Sequence, residues 1–131
     1  MYGINVWAIL LAAASSFMLG GVWYSPALFG PAWNRADGGA ENRKTGHPAR
    51  VFGASIVLAV IAAGAFAFLL GPEPPLGYAV TCGLVVGLGI VAASFGINYS
   101  FANRNLRLWL IDGGYHATQF MLFGVVLGLW H

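Results

Sequence analysis

The chain is 131 residues long, 59% hydrophobic and only 8% charged, with a mean hydropathy of +0.75. Six basic and four acidic residues are too few to cover a soluble domain, so a water-soluble fold is excluded at the outset. A net charge of +2 is no nucleic-acid footprint either, because the basic residues are divided between two loops and not gathered on one face.

Four apolar runs stand out, at residues 4–23, 51–70, 78–97 and 106–130. Each is about 20 residues or longer, which at about 1.5 Å per residue covers the roughly 30 Å hydrocarbon core of a bilayer. The expected fold is all-α: one domain over residues 1–131, built as an integral membrane bundle of four transmembrane helices.

The first run has Asn5 at its outer end and carries Ser15 and Ser16 among alanines. No positive charge precedes it and its apolar stretch continues past Ala12-Ala13-Ala14, so it reads as a retained helix and not as a cleaved signal. It closes on Trp23, Tyr24, Ser25 and Pro26, where the two aromatics suit the headgroup level. Ser25-Pro26 is a good N-cap and first-position pair, and two outcomes stay open for residues 26 to about 33. One is a short interfacial helix presenting Leu28, Phe29 and Trp33; the other is an irregular, aromatic-rich exit loop. Residues 34–48 are the hydrophilic loop, with His47 beside Pro48 as solvated surface.

The second run has no charge and many alanines, the pattern of a packing helix. A proline-stiffened external turn at residues 71–77 leads to the third run, where Gly83 and Gly87 form the G-x-x-x-G spacing that brings membrane helices together. Gly124 and Gly128 repeat that spacing in the fourth run, and these glycine-lined helices are expected to offer a face to a second copy of the chain, a dimer being favoured. Cys82 stands alone, so no intramolecular disulfide is expected. Gly21-Val22-Trp23-Tyr24-Ser25 at the end of the first run is echoed by Gly96-Ile97-Asn98-Tyr99-Ser100 at the end of the third, which suggests two parallel two-helix halves.

The fourth run carries the chemistry. Asp112, His116 and Gln119 recur at helical spacing and share one face, flanked by Gly113 and Tyr115. Ionisable residues inside lipid are expensive unless they look into a protein interior or a wet cavity. Counted from Arg107, Asp112 lies about 7 Å deep and His116 about 13 Å, so Ser15, Ser16, Ser94 and Asn98 of the neighbouring runs fall at depths from which they can join them. Asp112 and His116, one turn apart, can hydrogen-bond as a proton-accepting pair. The plainer alternative pairs Asp112 with Arg104 or Arg50, and His116 with a serine that locks the bundle. Two ligands on one helix make a poor metal site, His131 belongs to the opposite face, and no cofactor is expected. With no G-x-S-x-G or H-E-x-x-H motif, and Ser25 and Ser100 lacking a nucleophile context, an enzyme is not expected.

Arg35, Arg43, Lys44 and Arg50 follow the first run, and Arg104 and Arg107 precede the fourth; the positive-inside rule makes both loops cytoplasmic and puts both termini outside. The block from Gly21 to Gly30 through Trp33, together with Asn98-Tyr99-Ser100-Phe101, Leu110-Ile111-Asp112-Gly113-Gly114-Tyr115-His116 and the closing Gly-x-x-x-Gly-x-Trp, resembles domain-of-unknown-function family 1761. That resemblance spans nearly the whole chain except residues 34–48. It implies a small integral protein of a bacterial inner membrane with four helices, and it adds no activity. The functional expectation is proton-linked binding or passage of a small solute at a polar pocket around Asp112 and His116. The alternative is an accessory or structural membrane protein whose polar face only holds helices or a partner together.

Overall fold

The computed structural model describes residues 5–36 and 48–130, and every regular element among them is helical. The readings at His47, at the tail residue His131 and at the start of the first run lie outside the described residues. Helix α1, Val6–Trp23, is capped by Asn5, whose side chain accepts from the backbone N–H groups of Trp7 and Ala8. A short helix does follow it, as α2, Gly30–Ala36, but Ser25 and Pro26 do not start it. The chain turns first: the Ser25 carbonyl accepts from Leu28 and Gly30, and the Trp23 carbonyl from Phe29. A Cβ on Gly30 would stand 2.5 Å from the Tyr24 carbonyl oxygen, so this fold-back needs glycine. The turn aims Trp33 inward, toward the Asp112 side chain, whereas one of the two sequence readings had it lying along the interface.

Helix α3, Pro48–Leu70, begins three residues before the expected start and ends at Gly71, whose φ of 79° lies in the left-handed region. After the proline turn, α4 (Leu76–Leu84), a π-helical segment (Val85–Ala92) and α5 (Ala93–Phe101) follow one another without a break. Helix α6, Leu106–Leu129, is capped by the Asn105 side chain, which accepts from the Arg107 N–H.

Three helical stretches are long and apolar enough to cross a membrane: Val6–Trp23, Ala49–Leu70 and Leu76–Phe101. The sequence led us to expect four. Helix α6 has the length, at 24 residues, but Asp112, His116 and Gln119 lower its hydropathy. Its position offsets that polarity. Helix α1 packs on one side of it, α4 with the π segment on the other, and α3 lies against α1. Helix α6 accordingly buries Leu108, Ile111, Phe120, Phe123 and Leu127, while α1, α3 and the π segment keep large apolar side chains such as Trp7, Met18, Phe68 and Leu88 exposed.

The contact of α4 and the π segment with α6 is backbone on backbone. A Cβ on Gly83 would run into the Phe120 carbonyl, one on Gly87 into Ala117 and the His116 carbonyl at 2.8 Å, and one on Gly124 into the Ala79 carbonyl. Both G-x-x-x-G pairs are therefore consumed inside the chain, and the glycine faces expected to meet a second copy are not on the surface. On the other side of α6, Ala8, Ala12 and Ala13 of α1 and Ala59, Ala63 and Phe66 of α3 form the core with Phe120 and Phe123. Phe66 meets Phe120 edge-on at a centroid distance of 5.7 Å.

Candidate functional site

Asp112 sits on α6 at the level where α1 and α5 end, and only 8% of its surface is exposed. Three neutral donors close on its carboxylate. The Tyr24 hydroxyl donates to Oδ1 at 2.5 Å, the Trp33 indole N–H to the same oxygen at 2.9 Å, and the Tyr99 hydroxyl to Oδ2 at 2.6 Å. One carboxylate thus ties the end of α1, helix α2 and helix α5 to α6. Burial first, and then the carboxylate that it bonds, push the Tyr24 phenol far above its ordinary range, so it remains a donor. Among the described residues no arginine pairs with Asp112; Arg104 instead lies over the Tyr99 ring at 5.4 Å. The arginine partner of the plainer alternative is replaced by hydroxyl and indole groups, which satisfy the carboxylate without a second buried charge.

The aromatics around this carboxylate pack on one another. Trp23 donates its indole N–H to the Ile111 carbonyl at 3.0 Å, and its ring lies 4.8 Å from that of Phe29. Tyr24 meets Trp33 edge-on at 6.3 Å. Trp23 and Tyr24 were expected at the headgroup level, and Trp33 along the interface in one of two readings; all three turn their polar atoms toward α6. Ser25 contributes its carbonyl to the turn, and Pro26 is exposed.

His116 belongs to a second group, and no hydrogen bond joins it to Asp112. Its Nδ1 pairs with Gln119 Oε1 at 2.8 Å, and Gln119 Nε2 donates to Ser16 Oγ at 3.3 Å, so a polar chain crosses from α6 to α1. Ser16 Oγ in turn donates to the Ala13 carbonyl. These residues line a cavity of about 470 Å³ with Ser55, Leu58 and Ala62 of α3 on its far wall. Tyr115 stands between the two groups: its hydroxyl donates to the Ser16 carbonyl at 3.0 Å, and its ring lies 5.6 Å from Tyr24 and 4.9 Å from His116. Phe95 also packs edge-on against the imidazole, at 4.7 Å.

Of the residues singled out by the sequence, Asp112, Tyr115, His116, Gln119 and Ser16 do come together, in two adjoining groups and not one. Ser15 donates to its own helix at the Ala12 carbonyl and stays out of the chain. Ser94 and Asn98 are exposed on α5; Phe95 and Tyr99, one residue further on, hold the inward face. Counting depth along a helix cannot supply that rotation. The echo between Tyr24 and Tyr99 was the available signal, since the two matched tyrosines grip opposite oxygens of the same carboxylate. Trp109, Phe95 and Ser55 were not anticipated. Trp109 donates its indole N–H to the Ala92 carbonyl at 2.8 Å, where the π segment gives way to α5 and a carbonyl is left for an outside donor. Among the described residues no three His, Cys, Asp or Glu side chains gather as a metal site would require.

A family model described as "Protein of unknown function (DUF1761)" matches residues 7–128. No curated protein and no solved structure matches the chain.

Proposed function

The chain belongs to the DUF1761 family, and we propose that it is a non-enzymatic, four-span protein of a bacterial inner membrane that binds a small solute beside His116. In this reading α6 is the fourth span, tolerated in spite of its polar residues because its neighbours cover them. The basic loops after α1 and before α6 face the cytoplasm and both termini the outside, as the positive-inside rule requires.

The observation that carries the proposal is the hydrogen-bonded chain His116–Gln119–Ser16 on the wall of a cavity of about 470 Å³. Apolar walls with a few convergent polar groups are the usual make-up of a small-molecule site. An imidazole there can take a proton from its occupant or give one up, which is how proton-linked binding or passage arises at this point. Asp112 has a different part: its oxygens are engaged by Tyr24, Trp33 and Tyr99, so it latches the bundle and does not reach the solute.

The test is native mass spectrometry of protein extracted gently from its own membrane. A bound small molecule should be retained by the wild type and by Tyr24→Phe, and lost from His116→Ala and Gln119→Ala while both stay folded. Retention of the same mass by folded His116→Ala refutes the site. The accessory reading is favoured by one observation, the three-way latch on Asp112. It prevails if the wild type carries nothing and the His116 and Gln119 variants shift only stability or oligomeric state.

A further inference from the structure

The hydrogen bonds around His116 have a fixed direction. Ser16 Oγ spends its hydrogen on the Ala13 carbonyl, so toward Gln119 it can only accept, and Gln119 must face it with the amide Nε2. That leaves Gln119 Oε1 for His116 Nδ1, which therefore carries a hydrogen, and the neutral ring has its lone pair on Nε2. No group among the described residues bonds Nε2, yet none of their buried side-chain nitrogens or oxygens lacks a partner. Nε2 is therefore open, and the space that its ring lines is the cavity of about 470 Å³. The other polar atoms of this wall have the same character. The Ser55 hydroxyl donates to the Val51 carbonyl and the Tyr115 hydroxyl to the Ser16 carbonyl, so both offer the cavity only lone pairs. Among the lining side chains the one hydrogen not so engaged is the second amide hydrogen of Gln119, on a side chain only 7% exposed. Among the described residues no arginine or lysine lines the cavity, whereas the Asp112 carboxylate stands one helical turn from His116 with the neutral donors Tyr24, Trp33 and Tyr99 on its oxygens.

We infer that the solute held beside His116 is an organic ammonium that keeps at least one N–H and carries an apolar body. This rests on the solute site proposed above and names its substrate class. The N–H donates to His116 Nε2, and the lone pairs of Ser55 and Tyr115 border the same space. The apolar body lies along Leu58 and Ala62 of α3, and the rings of Phe17, Tyr115 and Phe120 on the cavity wall favour a positive charge further. An anion is disfavoured twice, because it brings acceptors to a wall of acceptors and stands near Asp112 with no lining cation to offset the repulsion. A quaternary ammonium has the charge but no hydrogen for Nε2. The volume falls within the range of ordinary ligand pockets.

The experiment uses the full chain with isotope-labelled histidine in phosphatidylcholine nanodiscs and follows the imidazole nitrogens by nuclear magnetic resonance. His47→Gln and His131→Gln identify the His116 signals by elimination, since the chain has three histidines. The empty protein should show His116 as the Nδ1–H tautomer. The probes share one phenylethyl body: the dimethylammonium, the trimethylammonium, the neutral alcohol phenylethanol, and the carboxylate phenylpropionate. The dimethylammonium should shift the Nε2 signal and saturate. The trimethylammonium, which has a methyl in place of the N–H, should bind at least about tenfold more weakly, the worth of one hydrogen bond from a charged donor. Phenylpropionate should leave the signal in place. An Nε2–H tautomer in the empty protein overturns the inference, as does equal affinity for the two ammonium probes. Tighter binding of phenylpropionate or phenylethanol than of the dimethylammonium also overturns it, while the solute site itself stands. If no probe moves the His116 signals, the inference is overturned again, and the native mass measurement on the wild type then decides the solute site by itself.

Discussion

Replacing Tyr24 with Phe removes one of three hydrogen bonds on Asp112 and leaves the ring contacts with Trp33 and Tyr115 in place. Asp112 Oδ1 keeps the Trp33 indole, so no acceptor is orphaned and the loss is that of the bond alone. Bonds to charged groups contribute about 1.5–3 kcal/mol in soluble proteins, whereas hydrogen bonds between membrane helices average about 0.6 and reach about 1.7 kcal/mol. The charged acceptor and short distance favour the upper part of the membrane range, so Tyr24→Phe should cost about 1.5 kcal/mol, or about tenfold in the folding equilibrium. In an Asp112→Asn background the acceptor is neutral and has one carbonyl oxygen for three donors, and the same change should cost about 0.5 kcal/mol. The coupling of about 1 kcal/mol is the quantity to measure, by a double-mutant cycle of unfolding in mixed micelles of rising dodecyl sulfate content, followed by circular dichroism. An equal cost in both backgrounds would refute the latch, because the hydroxyl would then act through something other than the carboxylate.

The same unfolding assay checks the packing of the π segment on α6. Gly87→Leu must push its Cβ into Ala117 and the His116 carbonyl and should destabilise by about 3 kcal/mol or abolish folding, whereas Gly64→Leu, with nothing near its Cβ, should be close to neutral. Trp109→Phe removes the donor to the Ala92 carbonyl and should cost about 1 kcal/mol, with faster amide exchange confined to the π segment and the start of α5. The Tyr24 phenol is raised in the folded chain, so its contribution is complete below the unfolded value of about 10 and is lost as pH rises beyond it. Tyr24→Phe should therefore show a shallower loss of stability above about pH 10 than the wild type, measured by thermal unfolding across alkaline buffers.

The apolar runs predict the helices within a few residues because burial in lipid demands length and hydropathy and little else, and sequence states both directly. The site residues on α6 were legible for a related reason: Asp112, His116 and Gln119 cannot face lipid, so they must face protein. What the sequence does not carry is rotation about the other helices. Ser94 and Asn98 are more polar than Phe95 and Tyr99, yet the phase of α5 after the π segment turns them out and turns Phe95 and Tyr99 in. A single wide turn shifts the register of everything that follows, and no hydropathy pattern records it. The glycine pairs failed differently, since their spacing says that a backbone comes close but not whose.

The echo of residues 21–25 in residues 96–100 ties these points together. Its two tyrosines each sit at the C-terminal end of a span, and each donates to a different oxygen of Asp112. Two matched donors converging on one acceptor require the helix that bears the acceptor to lie between them, because the hydroxyls approach from α1 on one side and α5 on the other. Helix α3, the counterpart of α6 in the first half, is free of acidic residues and has no such obligation. That asymmetry accounts for the order of the bundle. The helix with the carboxylate becomes the central one, most enclosed and least apolar, while its counterpart without a carboxylate is free to lie against α1 with most of its surface exposed.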